Sequence, residues 1–265
     1  MQEAPAEKNT LLAEPWDPLQ AGTDEMEFVL AAQKREIRNI LKSYTGYFDL
    51  FSEMIQNALD AVEKRAAEGD LSYKPAIWIT IDLADESVSV TDNGCAMSPA
   101  QFKGFLKPNF SFKQGDSTRG SKGVGATYLA YGFNHLEIAT RSGPDSTSSG
   151  VIEFGRAWLD DNANVISRPK VRTFEPSHAP FKQIERGTSF TLKLNGEGIR
   201  PKSLHYFGAK SAEQWMCLLR AHTPLGGIYL CGDLPHQIQI SVRPAKAGMI
   251  SGSKSHRGKS PSPVA

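Results

Sequence analysis

Long apolar runs are missing from this sequence, and no stretch approaches the roughly 20 residues that a bilayer-spanning helix needs. The opening MQEAPAEKNT lacks both the basic and the apolar part of a secretory signal, so no membrane partner and a cytoplasmic location are expected. Cysteine is scarce: Cys95, Cys217 and Cys231 stand at spacings that make neither a metal knuckle nor a disulfide framework. Free thiols in a reducing compartment are the expectation. Neither sign of charge is in excess, with 30 Lys and Arg against 29 Asp and Glu and a net charge of +1. That removes any global signal for nucleic acid or an anionic membrane, though a local basic patch is still open. Internal repeats are absent, and no histidine precedes His135.

What is present suits a globular chain with a substantial core: 265 residues, 40% hydrophobic and 22% charged. Residues 1–22 carry Pro5, Pro15 and Pro18 among few apolar positions, the mark of an irregular leader whose Leu11, Leu12, Trp16 and Leu19 need another surface to lie on. Residues 245–265 form a Ser/Gly/Lys/Pro tail that builds no core. The folded part is expected over 23–244.

Within it, helical spacing runs from Asp24 to Ser43 with Thr23 or Asp24 as cap, and again from Phe51 to Arg65. The second helix has two opposed faces. Phe51, Met54, Ile55, Ala58, Leu59 and Val62 form an apolar stripe, with Glu53, Asn57, Asp60 and Lys64 behind it. An ordinary amphipathic helix would look much the same. The mid-helix Asn57, flanked by acids a turn away on either side, also suits a site whose oxygens hold a cation and a water.

Period-two patterns follow at Ala76–Leu83 and Glu86–Asp92, joined through Ala84-Asp85 as a hairpin. Ser98 and Pro99 open a short helix, and residues to about 125 read as a long loop. A helix is expected over Gly123–Phe133, with strands at His135–Thr140, Val151–Leu159, Thr188–Leu194 and Gln237–Val242. A loop or ragged hairpin is expected over Asp160–Arg186, and a capped helix over Ser211–His222.

Three further stretches carry chemistry. In Asp92-Asn93-Gly94-Cys95-Ala96-Met97, an Asp at a strand end accepts a hydrogen bond from an exocyclic amine inside an apolar pocket, and Gly94 lets a flat ring come close. The same residues also spell a plain turn. Arg119 to Gly125, RGSKGVG, stands before a helix, where free N–H groups and the helix dipole suit a phosphate; it is equally a flexible connection. Gly187-Thr188 opens the alternating strand TSFTLKL.

Taken in order, E-x-x-x-N-x-x-D-A on a helix, D-x-G-x-x-M after a hairpin, G-x-K-G-x-G before a helix and G-T opening a later strand resemble one family. That family is the gyrase, Hsp90, histidine-kinase and MutL (GHKL) ATPase superfamily, over roughly Glu25 to Leu194. In texture the chain is nearest to Hsp90-like and MORC-like prokaryotic ATP-binding proteins. The resemblance implies an α+β fold, the two-layer α/β sandwich called the Bergerat fold, whose mixed, mostly antiparallel sheet is covered by helices on one face. It implies that ATP is the substrate and Mg2+ the cofactor. Glu53 would activate the attacking water, and Asn57 would coordinate the metal. Asp60 would support them. Asp92 and Thr188 would read adenine, with Gly94 and Met97 lining the base pocket. Gly120, Lys122, Gly123, Val124 and Gly125 would wrap the phosphates beneath a lid spanning about 103–125.

Two departures stand out. Ala96 replaces the family's usual second glycine, and no extra phosphate-binding lysine can be assigned, Lys113, Lys122 and Lys202 being candidates. The leading expectation is ATP hydrolysis driving a conformational switch or an ATP-dependent homodimer clamp. The chain would then be the N-terminal module of a longer protein acting on a client protein or DNA. The alternatives are a nucleotide-binding module without turnover, disfavoured by Glu53, and a histidine-type protein kinase, disfavoured because the first helix holds no histidine.

Overall fold

The computed structural model describes residues 26–107, 124–143, 146–230 and 237–245. The expected leader, the central part of the expected lid with Lys113, Gly120, Lys122 and Gly123, the residue Cys231 and the tail from 246 lie outside the described residues.

The chain begins with α1 (Met26–Lys42) and α2 (Asp49–Ala66), joined by a short connection. In that connection the Gly46 N–H donates to the Asp49 carboxylate at 2.7 Å, fixing the entry into α2. Lys64 and Arg65 in the last turn of α2 meet the negative end of its dipole. The stripe expected on α2 is the one it buries: Phe51, Met54, Ile55, Ala58, Leu59 and Val62 are all within 1% of complete burial.

A hairpin of β1 (Ala76–Asp82) and β2 (Ser87–Asp92) follows, then α3 (Pro99–Phe105) with a capping box between Ser98 and Gln101. Next come α4 (Val124–Tyr131), β3 (His135–Gly143) and β4 (Ser146–Glu153). The remaining elements are α5 (Gly155–Asp160), α6 (Ala179–Gln183), β5 (Gly187–Lys193), α7 (Ala212–His222), α8 (Leu225–Leu230) and β6 (Gln237–Arg243).

The six strands form one sheet in the order β4-β3-β5-β2-β1-β6. Every pairing is antiparallel except β6 beside β1, so the sheet is mixed and mostly antiparallel, as expected. Alternation assigns Ile77, Ile79, Ile81, Val88, Val90, Phe190, Leu192, Leu136 and Ile138 to the face beneath the helices, where they merge with the buried stripe of α2, Leu129 and Trp215. The fold is α+β, consistent with a two-layer α/β sandwich. Every residue of β2 is buried, so its other face is covered too. Phe174, Phe181 and Ile184, on and around α6, lie there against Trp78 and Ala139.

One expectation fails locally. Val151–Leu159 is not a single strand: β4 ends at Glu153, and α5 takes over from Gly155. Phe154 turns the chain with φ at 60°, after which Trp158 and Leu159, adjacent residues, are buried together against Ile37 of α1. A strand would send them to opposite faces. The Asp160–Arg186 segment is a loop with a single bridge, Val151 to Arg172, and it contains α6, which sequence reading did not anticipate. Among the described residues no helix is long and apolar enough to cross a membrane.

Candidate functional site

The helix-facing side of the sheet is apolar until the strands reach one end, where three polar residues stand in a row. Asp92 pairs with Thr188, and Thr188 pairs with Thr140. All three continue the core-facing alternation of their strands, so the fold turns a carboxyl and two hydroxyls inward.

Asp92 is 2% exposed. Its Oδ1 accepts from the Gly94 N–H at 2.8 Å. Burial pushes its carboxyl up from an ordinary 3.8 to about 8, against the opposing pull of the Gly94 and Thr188 backbone N–H groups. Thr140 ties the row to the next loop: its Oγ1 accepts from the Met97 N–H at 2.9 Å and lies 3.1 Å from the Thr188 hydroxyl. Sequence reading missed Thr140. The available signal was a polar residue at a position where the alternation of β3 calls for an apolar one.

The turn that carries Asp92 is bolted to α2. A Cβ on Gly94 would strike the α2 backbone at Ala61 and Val62, and the Cys95 N–H donates to the Ala61 carbonyl at 3.0 Å. The close approach made by Gly94 is therefore to a helix, a role its sequence did not suggest. Arg65 donates to the Asn93 carbonyl at 2.6 Å while lying 4.4 Å over the Tyr73 ring. The Asn93 side chain accepts from Ala76 N–H at 2.8 Å and donates to the Lys74 carbonyl at 2.9 Å, so this turn residue is a structural clamp. Glu68, just past α2, holds Arg186 through two bonds of 2.7 and 2.9 Å and accepts from the Cys95 thiol at 3.3 Å. This joins the Asp92 turn to the entry of β5.

Two turns earlier on α2 stands the second group. A Cβ on Gly125, in the first turn of α4, would fall on the Glu53 carboxylate, so with glycine here the carboxylate can lie directly against α4. Val124 precedes it as the first residue of α4 and is half-buried. The Tyr44 hydroxyl donates to Glu53 Oε1 at 2.9 Å, a contact sequence reading did not find, because Tyr44 lies in what reads only as a turn. Asn57, one turn on from Glu53, is half-buried, and its amide has no hydrogen-bond partner among the described residues. Asp60 accepts from Gln56 at 2.7 Å.

The structure thus brings Glu53 to Gly125, Asp92 to Gly94 and Thr188, and the Met97 backbone to Thr140, with α2 running between the two groups. From Glu53 to Ala61 the helix rises about 12 Å. Among the described residues no group of three or more His, Cys, Asp or Glu side chains could hold a metal ion by itself. The Asn57 amide oxygen, a single neutral ligand, suits only a metal that brings most of its oxygen ligands with it, as magnesium does with phosphates. No protein-family model matches the chain, and comparison with curated proteins finds no match either.

Proposed function

We propose that this chain binds ATP with magnesium and hydrolyses it, as a GHKL-type ATPase whose nucleotide cycle drives a conformational switch or a homodimer clamp. One observation carries the reading: the turn that follows the buried acceptor Asp92 packs on α2 at Ala61, and the candidate base Glu53 stands two turns earlier on that helix, against Gly125 in the first turn of α4. Adenine sits at the sheet end, where Asp92 accepts from its amino group and Thr188 completes the edge; Gly94 and Met97 shape the pocket wall. The phosphates lie toward the start of α4, at Val124 and Gly125, and Gly120, Lys122 and Gly123, which precede α4 in the sequence, would add backbone donors and one cation. Magnesium would be held by Asn57 and would neutralise phosphate charge. Glu53 orients the attacking water and takes its proton, while Asp60 steadies α2's polar side. This division of labour suits phosphoryl transfer, in which positioning and charge neutralisation dominate.

A cytoplasmic location belongs to the same proposal, as does action of the nucleotide cycle on a client protein or DNA. The test is Glu53→Ala, assayed for ATP affinity by calorimetry and for phosphate release. Hydrolysis is expected to fall by a factor on the order of 10² to 10⁴ with affinity retained. Unchanged turnover removes Glu53 from the mechanism. A wild-type chain that binds ATP without releasing phosphate establishes the module without turnover in place of the ATPase.

A further inference from the structure

Glu53 does not stand alone at its end of α2. Tyr44, in the connection between α1 and α2, reaches forward so that its hydroxyl donates to Glu53 Oε1 at 2.9 Å. Its ring lies flat on Tyr128 of α4, with centroids 4.0 Å apart and planes 6° from parallel. The phenol is thereby fixed between the helix that carries Glu53 and the helix whose first turn touches Glu53. Burial, and then the neighbouring carboxylate, push the Tyr44 phenol far above its ordinary value of 10, so it keeps its proton and stays a donor at any working pH.

The position of Tyr44 depends on α1. Lys34 is 4% exposed; its ammonium donates to the Asp161 carbonyl at 2.7 Å and to Asn164 Oδ1 at 2.9 Å, and it lies 5.0 Å over the Trp158 ring. Arg38 donates to the Leu159 carbonyl at 2.5 Å and to Asn162 Oδ1 at 2.9 Å. Two cations of α1 thus grip the turn that ends α5, with Ile37 packed between them against Trp158 and Leu159. The Tyr44 N–H then continues from α1, donating to the Leu41 carbonyl at 3.1 Å.

We propose that Tyr44 is a positioning residue for Glu53: its hydroxyl holds one carboxylate oxygen so that the other faces the water that attacks the terminal phosphate, with α1 setting where that hydroxyl stands. This rests on the ATPase reading above. A glutamate side chain has several rotamers, and a donor clamped by a ring stack, together with the contact of Oε2 with Gly125, selects among them before nucleotide arrives.

Tyr44→Phe is the direct test, because it keeps the stack on Tyr128 and deletes only the donor. In single-turnover assays of the full chain with magnesium ATP, the hydrolysis rate is expected to fall about 10- to 100-fold, as for loss of a charge-assisted hydrogen bond. The KM for ATP should be unchanged. In a Glu53→Gln background the same change is expected to have no further effect, since Tyr44 acts through Glu53. A Tyr44→Phe chain that hydrolyses as fast as wild type, or faster, overturns the proposal. So does a raised KM with unchanged kcat, or an equal loss in the Glu53→Gln background, either of which assigns Tyr44 a role independent of Glu53. Should the wild-type chain itself fail to hydrolyse ATP, the ATPase reading falls and takes this one with it; wild-type hydrolysis with an unaffected Tyr44→Phe chain removes this proposal alone.

Discussion

Replacing Asp92 by asparagine tests the buried carboxyl without any ligand. In the folded chain this carboxyl titrates at about 8, compared with 3.8 ordinarily, so between those values the folded state holds a proton that the unfolded state has released. Stability from this group is therefore fully present below its unfolded value and is lost as pH rises toward and through about 8. Pure acid-side intuition would give the reverse. Each pH unit inside the window changes the folding free energy by about 1.4 kcal/mol, so moving from pH 5 to pH 7 weakens wild type by about 3 kcal/mol through Asp92 alone. For a chain of this size that corresponds to a melting-temperature fall of roughly 6 to 12 °C. The substituted amide cannot titrate, and burying it imposes a cost that does not vary with pH. The assay is thermal unfolding of wild type and Asp92→Asn, without nucleotide, at half-unit steps from pH 5 to pH 8. The other titrating groups act alike in both, so the difference between the two melting temperatures isolates Asp92. It should shift steadily in favour of the variant as pH rises. Parallel curves would refute the argument and put the folded carboxyl near its ordinary value.

Two other substitutions probe the neighbouring contacts. Gly125→Ala puts a methyl where the Glu53 carboxylate lies; that flexible end must swing aside, so phosphate release should fall at least tenfold while stability changes by less than about 1 kcal/mol and circular dichroism stays native. Wild-type turnover in that variant would mean that Glu53 is not needed where it lies. Lys34→Met keeps an unbranched chain against Trp158 but removes the donor to Asp161 and Asn164; urea unfolding should register a loss on the order of 1 to 2 kcal/mol. No loss would show that α1 is held by its apolar contacts alone.

Much of the framework could be read from residue spacing because its signals are local. The stripe of α2, the alternation in β1, β2 and β5, and the Ser98 and Ser211 caps each depend on neighbours within one or two turns. The helix–strand switch at Phe154 was not legible, since Trp158 and Leu159 become helical by packing on Ile37, far away in sequence. The same holds for α6, whose Phe181 finds its cover only on the far face of the sheet.

The sequence by itself determined which residues are equipped for chemistry: a Glu and an Asn one helical turn apart, an Asp closing a strand, a glycine opening a helix. Only the tertiary structure decided what surrounds them. Strand register, which no local pattern specifies, lines Asp92 up with Thr188 and Thr140 and turns a strand-end aspartate into a carboxyl whose titration burial raises to about 8. Helix packing, likewise non-local, sets Gly125 against Glu53 and brings Tyr44 and Tyr128, from segments far apart in the chain, into one stack beside it. Residue type is written in the chain one position at a time, whereas burial and the partners of a buried group exist only once distant segments meet.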